Sequence, residues 1–406
     1  MPWARTDVSE QRVRFVVRAM SGRESLAALC REFGISRPTG YRWRRRFQQA
    51  GSITAVVERS RRPERSPART APEQEERVVA LRRQYGWGAK KIAVLLREED
   101  RALQVRTIHR ILKRRGLIAI QDAHRPALQR FERSAANELW QMDGKGEYRA
   151  SDGTCYPLSI LDDHSRYVVG LYSLPAFTAA RVYPCLVHTF ERYGVPTAML
   201  MDHGAVWWST TNGHGLTWLA VRLIEQGIRL CYGRVHHPQT QGKVERFHRT
   251  LDEAIRHRGK PQQMAAWPEA LEEFREIYNQ QRPHEALGMQ RPVERYQASA
   301  RRYEPVPREW DYPSGSLLRR LNPSGCLCWQ GEQWFVCEAL AGRWIRVEPL
   351  ENLLLVSYRH MYVREIDRQQ RRTRPLIISR DVGQALRSPS GLPTSLAHIA
   401  NQERPL

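Results

Sequence analysis

His236-His237-Pro238-Gln239-Thr240-Gln241-Gly242-Lys243-Val244-Glu245-Arg246-Phe247-His248-Arg249-Thr250 is the stretch on which the reading of the whole chain turns. Its Pro and Gly come first and then cease, so a loop running into a helix is expected. Val244, Phe247, Leu251 and Ile255 recur at i, i+3, i+7 and i+11, which makes one apolar stripe of a helix. Glu245 stands one residue round from the stripe, at its rim, and Lys243, Arg246 and Arg249 place cations nearby. A carboxylate beside a core with positive charge close to it suits a metal ligand next to a phosphate backbone. A surface helix with ordinary charge pairs fits the same residues, and this segment alone does not choose between them.

Two aspartates elsewhere favour the first reading. Asp143 lies in Leu139-Trp140-Gln141-Met142-Asp143-Gly144, a segment of strand type. Asp202 ends the apolar run Ala198-Met199-Leu200-Met201 and precedes His203-Gly204, a strand stopping at a turn. Trp140-Gln141-Met142-Asp143, Leu161-Asp162-Asp163-His164-Ser165-Arg166, Met199 to Gly204, the opening stretch, and Tyr278-Asn279-Gln280-Gln281-Arg282-Pro283-His284-Glu285-Ala286-Leu287-Gly288 follow in that order. Together they closely resemble the catalytic core of the DDE transposases and integrases, nearest to bacterial insertion-sequence transposases with a retroviral-integrase-type core. One such motif is weak, but five in order are specific. The resemblance covers residues 130–295, with looser likeness on both sides.

The resemblance implies a multidomain chain with an α/β ribonuclease H-like catalytic core. Asp143, Asp202 and Glu245 would be its catalytic residues and would hold Mg²⁺, with Mn²⁺ as an alternative. The implied function is a DNA transposase that binds element ends, cleaves the 3′ strand by metal-dependent hydrolysis and joins the 3′ hydroxyl to target DNA. Its partner would be double-stranded DNA, with a homo-oligomer assembled on it. The residue types suit that chemistry. Strand cleavage adds charge to a phosphate that is already anionic, and carboxylates can hold two divalent cations about 3.5–4 Å apart to stabilise it. Hard Mg²⁺ prefers carboxylate oxygens. Asp143 and Asp202 can meet only if their strands are neighbours, which the implied strand order provides. Two features depart from the pattern. Positions 203 to 244, 42 residues, lie between Asp202 and Glu245, which places an insertion near Trp207–Leu216. His203 also stands where the family often has Asn. Asp162 and Asp163 are competing acids, assigned here to a turn. His236 and His237 could touch the scissile phosphate; without Cys partners a zinc pair is disfavoured. A non-catalytic DNA-binding regulator derived from a transposase is the alternative function, and a structural nucleic-acid scaffold is a third. Loss of an acid would favour the regulator, whereas all three acids are present.

The rest of the chain fits around this core. With 406 residues, several domains are expected, and the hydrophobic fraction of 41% is enough for packed cores. A formal net charge of +22 points to a polyanionic partner, nucleic acid first. No run approaches a membrane span and no signal-peptide core opens the chain, so a cytoplasmic protein with no membrane partner is expected; that it is bacterial and nucleoid-associated is what the resemblance implies. Seven cysteines without a CxxC pair suit reduced thiols.

Residues 1–52 read as a helix-turn-helix unit whose third, basic helix enters the major groove. Val13, Val16 and Val17 supply its first helix, Gly34 its turn and Ser36 a cap. Arg37, Thr39, Arg42, Arg44 and Arg45 are its candidate DNA contacts, while Trp43 and Phe47 pack inward. Residues 72–117 read as a second helix-turn-helix unit, with Arg106 and Arg110 as contacts on its last helix. Lys243, Arg246 and Arg249 are candidate phosphate contacts of the core. Linker composition is read at 58–67, 118–135 and 300–318. Five short β segments between Cys326 and Ile366 suggest a small SH3-like β-barrel at 319–368, followed by a loose polar tail from Arg368.

Overall fold

The computed structural model describes residues 8–56, 70–118, 132–210, 215–233 and 242–380. The chain divides into two compact units, Met1–Ala71 and Pro72–Leu406. Among the described residues the first holds three α-helices, α1 (Val8–Ser21), α2 (Leu26–Glu32) and α3 (Arg37–Ala50), and a short 3-10 turn at Ile53–Val56. The hydroxyls of Ser25 and Ser36 cap α2 and α3, accepting from the N–H of Ala28 and of Thr39. Gly34, at φ +63°, makes the turn between those two helices. Phe15, Val16, Leu29, Cys30 and Trp43 form the core. Val17 was expected inward and is 52% exposed; Phe15 takes that place, because its position shares a helix face with Ala19 and Val17 does not. Gly40 lets α3 approach closely. A Cβ there would collide with Cys30 Sγ and stand 3.1 Å from Phe15 Cζ.

The second unit begins with α4 (Pro72–Tyr85), α5 (Ala89–Glu98) and α6 (Val105–Arg114). They enclose Val78, Leu81, Ile92, Leu96, Ile108 and Ile111. The core follows as β1 (Trp140–Gly144), β2 (Tyr148–Arg149), β3 (Thr154–Asp162), β4 (Val168–Leu174), α7 (Ala179–Tyr193) and β5 (Ala198–Met201). Next come the small hairpin β6 (Trp208–Ser209) and β7 (Gly215–Leu216), then α8 (Trp218–Glu225), β8 (Arg229–Tyr232), α9 (Gly242–Arg258) and α10 (Trp267–Gln280). The strand-type segment around Asp143 forms β1, and residues Lys145–Glu147 separate it from β2, both lying along one side of β3. β4 lies on the other side of β3, antiparallel. β5 pairs parallel to β1, and β8 parallel to β5. The sheet therefore reads β4-β3-β1-β5-β8, mixed in direction.

Alternation along the strands feeds two apolar layers. Trp140, Met142, Leu158 and Ile160 face the core shared with α7 and α8. Leu161, Val168 and Leu171 face Val244, Phe247 and Leu251 of α9 and Trp267, Leu271 and Phe274 of α10. The stripe on α9 is buried as its spacing requires. α7 runs through Pro184. Pro184 and Ala180 are both exposed, so the carbonyl that loses its i+4 donor faces water.

The helical triplet α4–α6 rests on this core. Ile277 packs against its apolar cluster. Tyr85 Oη donates to Gln281 Oε1 at 2.9 Å, His257 Nε2 meets the Arg83 carbonyl at 2.7 Å, and Arg291 pairs with Glu98.

Beyond α11 (Pro292–Arg295) the chain forms β9 (Leu318–Arg320), β10 (Cys326–Trp329), β11 (Glu332–Phe335), β12 (Trp344–Leu350), β13 (Leu353–Tyr358), β14 (Met361–Asp367) and β15 (Arg372–Ser379). The expected barrel does not close among the described residues. β10 and β11 form a separate hairpin, and the others lie as an open antiparallel sheet, β15-β14-β13-β12-β9. Closure is not needed to bury its apolar face, because Ile345, Val347, Leu354 and Val356 join Leu216, Leu219 and Leu223 in one core. The first part of the tail expected to be loose from Arg368 instead supplies the edge strand β15, and residues 381–406 lie outside the described residues. Glu225 ties the sheet to α8. Its carboxylate accepts from Tyr358 Oη at 3.0 Å and pairs with Arg343 at 3.1 Å and Arg222 at 2.9 Å.

Gly40→Ala in a fragment of residues 1–71 should lower its stability by about 1–3 kcal/mol while leaving its surface unchanged. A thermal melt followed by circular dichroism checks this; an unchanged midpoint would mean that α1 and α2 yield without cost.

Candidate active site

Strand pairing builds the site. Trp140 pairs with Met199 and Gln141 with Leu200 across the parallel β1–β5 ladder. Carrying that register on by two residues sets Asp143 beside Asp202, both at the C-terminal ends of their strands. Asp202 follows Met201 directly, and one of its carboxylate oxygens accepts from the Gly204 N–H at 2.9 Å. Glu245 stands on the first turn of α9, exposed, while its neighbour Val244 is fully buried. Asp143 registers this grouping electrostatically. Burial first, then the negative charge of Asp202, with Glu245 adding to it, pushes the Asp143 carboxyl up to about 7, against a Gly144 N–H that pulls it down. Among the described residues no three Asp, Glu, His or Cys side chains converge to metal-ligand spacing.

His248, one turn after Glu245, was not singled out from the sequence. Its Nε2 lies 3.1 Å from Ser159 Oγ and its Nδ1 lies 3.9 Å from Asp143 Oδ2. Ser159 is the residue paired with Asp143 across β1 and β3. Burial, reinforced by Lys145, holds His248 down to about 4, so the imidazole is neutral at pH 7. The signal was its i+3 spacing from Glu245. Lys145 itself pairs with Asp252 at 2.9 Å, and Tyr148 Oη donates to the same carboxylate at 2.6 Å.

Asp162 ends β3 and Asp163 opens the turn that follows, where the sequence placed them, and both are fully buried. Asp162 accepts from the Asn137 N–H at 2.8 Å and from the Ser165 N–H and hydroxyl at 2.8 and 2.6 Å. Asp163 accepts from the Arg133 N–H at 2.8 Å, from Gln141 Nε2 at 2.7 Å and from Lys243 Nζ at 2.5 Å. Lys243 therefore points into the fold, where burial and Arg166 pull it down to about 8 against the attraction of Asp163. Arg246 and Arg249, by contrast, are exposed. His203 sits with its ring 5.0 Å from that of Trp208 and 5.5 Å from that of Tyr232. The segment in which an insertion was expected holds the β6–β7 hairpin. His236 and His237 lie outside the described residues.

Of the other candidate contacts, Arg37, Arg42 and Arg45 are exposed on α3, with Thr39 and Arg44 half-buried. Trp43 is buried, with the guanidinium of Arg42 5.6 Å from its ring centre and that of Arg46 at 5.2 Å. Arg106 and Arg110 are exposed on α6. No described helix is long and apolar enough to cross a membrane.

Two family models of the integrase core domain match residues 133–238 and 226–292. A helix-turn-helix domain model matches residues 11–64 and a homeodomain-like domain model matches 39–112. An integrase core preceded by helix-turn-helix domains is thus the class of protein. Together with the five ordered motifs, these matches support the likeness of the chain to the DDE transposases and integrases. The transposase of transposon Tn552 from Staphylococcus aureus is 22% identical over 285 residues, 62% of this chain and 57% of that protein. The chain thus spans a little over half the length of that relative. Among solved structures, the HTLV-2 integrase catalytic core domain in complex with magnesium, in its dimeric form, matches with a TM-score of 0.31 and 14% identity. That match covers 40% of this chain and 97% of the other. A chain of the simian T-cell lymphotropic virus intasome in complex with PP2A regulatory subunit B56 gamma matches with a TM-score of 0.35 and 14% identity, over 74% and 98% of the two chains.

Replacing Lys243 with Met should destabilise the protein by about 3 kcal/mol, because it strands a fully buried carboxylate. Arg249→Ala should leave stability within about 0.5 kcal/mol. Urea unfolding of the two variants checks the contrast. Equal stability would return Lys243 to the surface contacts.

Proposed function

We propose that this chain is a DNA transposase whose strand chemistry is centred on Asp143, Asp202 and Glu245. The observation that carries this reading is the parallel β1–β5 pairing, which sets Asp143 and Asp202 side by side with α9 presenting Glu245 close enough to act on Asp143. The sheet order, with helices on both faces, supports a ribonuclease H-like core. The three side chains offer only carboxylate oxygens, a donor set that fits Mg²⁺, or Mn²⁺ in its place. A positive ion there would also offset the repulsion that raises Asp143. When bound, such cations supply an activated attacking oxygen and stabilise the leaving oxygen of a phosphodiester.

The chain's own residues do the rest. Ser159 and neutral His248 fix the ground around Asp143 without adding charge. The Gly204 N–H holds one oxygen of Asp202. Arg37, Thr39, Arg42, Arg44 and Arg45 on α3 and Arg106 and Arg110 on α6 would engage the ends of the element. Arg246 and Arg249 would contact phosphates beside Glu245. Two ends must be joined to one target in a coordinated way, whereas one chain carries one acid triad. A homo-oligomer assembled on duplex DNA, acting at the bacterial nucleoid, follows from that requirement.

Asp143→Asn should still bind candidate end DNA in a gel-shift assay. Its Mg²⁺-dependent nicking should fall by roughly 1,000-fold. Comparable nicking by the variant and the natural chain would remove Asp143 from the active site and the transposase reading with it.

A further inference from the structure

The faces of α3 sort its side chains by depth. Gly40, Trp43 and Phe47 turn inward onto α1 and α2, with Gly40 against Cys30 and Phe15. Arg37, Tyr41, Arg42, Arg45 and Gln48 are exposed. They lie within an arc of roughly 140°, since each residue turns a helix by about 100°. Tyr41 and Arg45 stand near the middle of that arc, and Arg37 and Arg42 at its two edges. Arg42 leans further from the middle, with its guanidinium 5.6 Å from the centre of the inward-facing Trp43 ring. Thr39 and Arg44 are half-buried, and the Thr39 hydroxyl lies 2.9 Å from that of Ser36, in the helix cap.

Tyr41 is the odd member of this face. It is 60% exposed, and among the described residues it enters no hydrogen bond and no ring contact. A solvated helix face needs no aromatic side chain. A ring held in water gains by being covered, and with two side-chain torsions Tyr loses little freedom when that happens. In the major groove the apolar feature on offer is the C5-methyl of thymine, whereas the guanidinium fork of arginine matches N7 and O6 of guanine. The middle of a recognition-helix face reaches base edges, and its rims reach the phosphate backbone. Tyr41 and Arg45 are separated by about 6 Å along the helix, which spans about two base pairs of duplex.

We propose that Tyr41 and Arg45 are the specificity-determining residues of α3. The Tyr41 ring packs on the C5-methyl of a thymine, and the Arg45 guanidinium donates to N7 and O6 of a guanine about two base pairs away. Arg37 and Arg42 grip phosphates on either side and carry no sequence information. This rests on the reading of the chain as a protein that recognises the ends of an element through its helical units.

The test offers the full chain a pool of duplexes with a random central segment, without divalent metal, and reads the sequences it enriches. The natural chain should enrich a thymine and a guanine about two base pairs apart. Tyr41→Ala should lose the thymine and keep the guanine. Arg45→Ala should do the reverse, with guanine preference falling by roughly 10-fold or more. Arg42→Gln should enrich the same sequence, bind all duplexes more weakly, and flatten the slope of log affinity against log salt by about 0.9. Fluorescence anisotropy on the enriched duplex then isolates the methyl. Replacing the thymine by uracil should cost the natural chain about 4-fold in affinity, the worth of one buried methyl, and cost Tyr41→Ala nothing. Tyr41→Phe should restore the thymine preference, because the ring and not the hydroxyl makes the contact. Should Tyr41→Ala unfold, Tyr41→Gln takes its place. Thymine preference unchanged in Tyr41→Ala, an equal uracil cost in that variant, no preference in Tyr41→Phe, or no sequence enriched by the natural chain each overturns the proposal. The selection involves no cleavage, so a failure of strand chemistry and a failure of base reading are separate results.

Discussion

The parallel pairing of β1 with β5 is the constraint on which the rest depends. Asp143 and Asp202 lie 59 positions apart in the chain, residues 143 and 202, and only a ladder joining Trp140 to Met199 and Gln141 to Leu200 brings them together. A slip of one residue would turn the next side chains to the opposite face. Packing prevents the slip. Trp140, Met142, Met199 and Met201 are fully buried, and Trp140 Nε1 donates to Asn137 Oδ1 at 3.1 Å. Asn137 in turn donates its backbone N–H to buried Asp162, so the strand is fixed in position as well as in register.

The acids of this core have divided into two kinds by environment. Asp162 and Asp163 direct their oxygens to backbone N–H groups, Gln141 and Lys243, and so brace β1, β3 and the start of α9. Asp143 and Asp202 lie at strand ends with fewer partners, where repulsion between them is unrelieved. Buried carboxylates with full sets of donors hold a frame; carboxylates crowded together suit a cation. Glu225 belongs to the first kind. It anchors the C-terminal sheet to α8, next to β8 and two strands from Asp143.

Much of this was legible in the sequence because local pattern and tertiary role agreed. The stripe Val244, Phe247, Leu251, Ile255 is the buried face of α9, the apolar run before Asp202 is β5, and Ser36 caps α3. What was not legible depended on contacts distant in sequence. The turn at Asp162-Asp163 was legible but its bracing role was not, because the donors come from Asn137, Gln141 and Lys243. Lys243 looks like its neighbours Arg246 and Arg249 until Asp163 is placed opposite it. β15, with arginines and Pro375 in its sequence, reads as a polar tail and becomes a strand only as the partner of β14. The barrel was expected from strand spacing and from the family resemblance. Spacing carries no information on whether a sheet closes on itself or buries its face against a neighbour, and here α8 and the β6–β7 hairpin supply that neighbour.

The central claim is that β1 and β5 present Asp143 and Asp202 as one divalent-cation site completed by Glu245. Titration of the DNA-free protein with Mn²⁺, followed by calorimetry and by the electron paramagnetic resonance of the free ion, tests it without reliance on any end sequence. The account predicts saturable binding by the natural chain that is lost or greatly weakened in Asp202→Asn and in Asp143→Asn, with both variants folded. Undiminished Mn²⁺ binding by the two folded variants would contradict it.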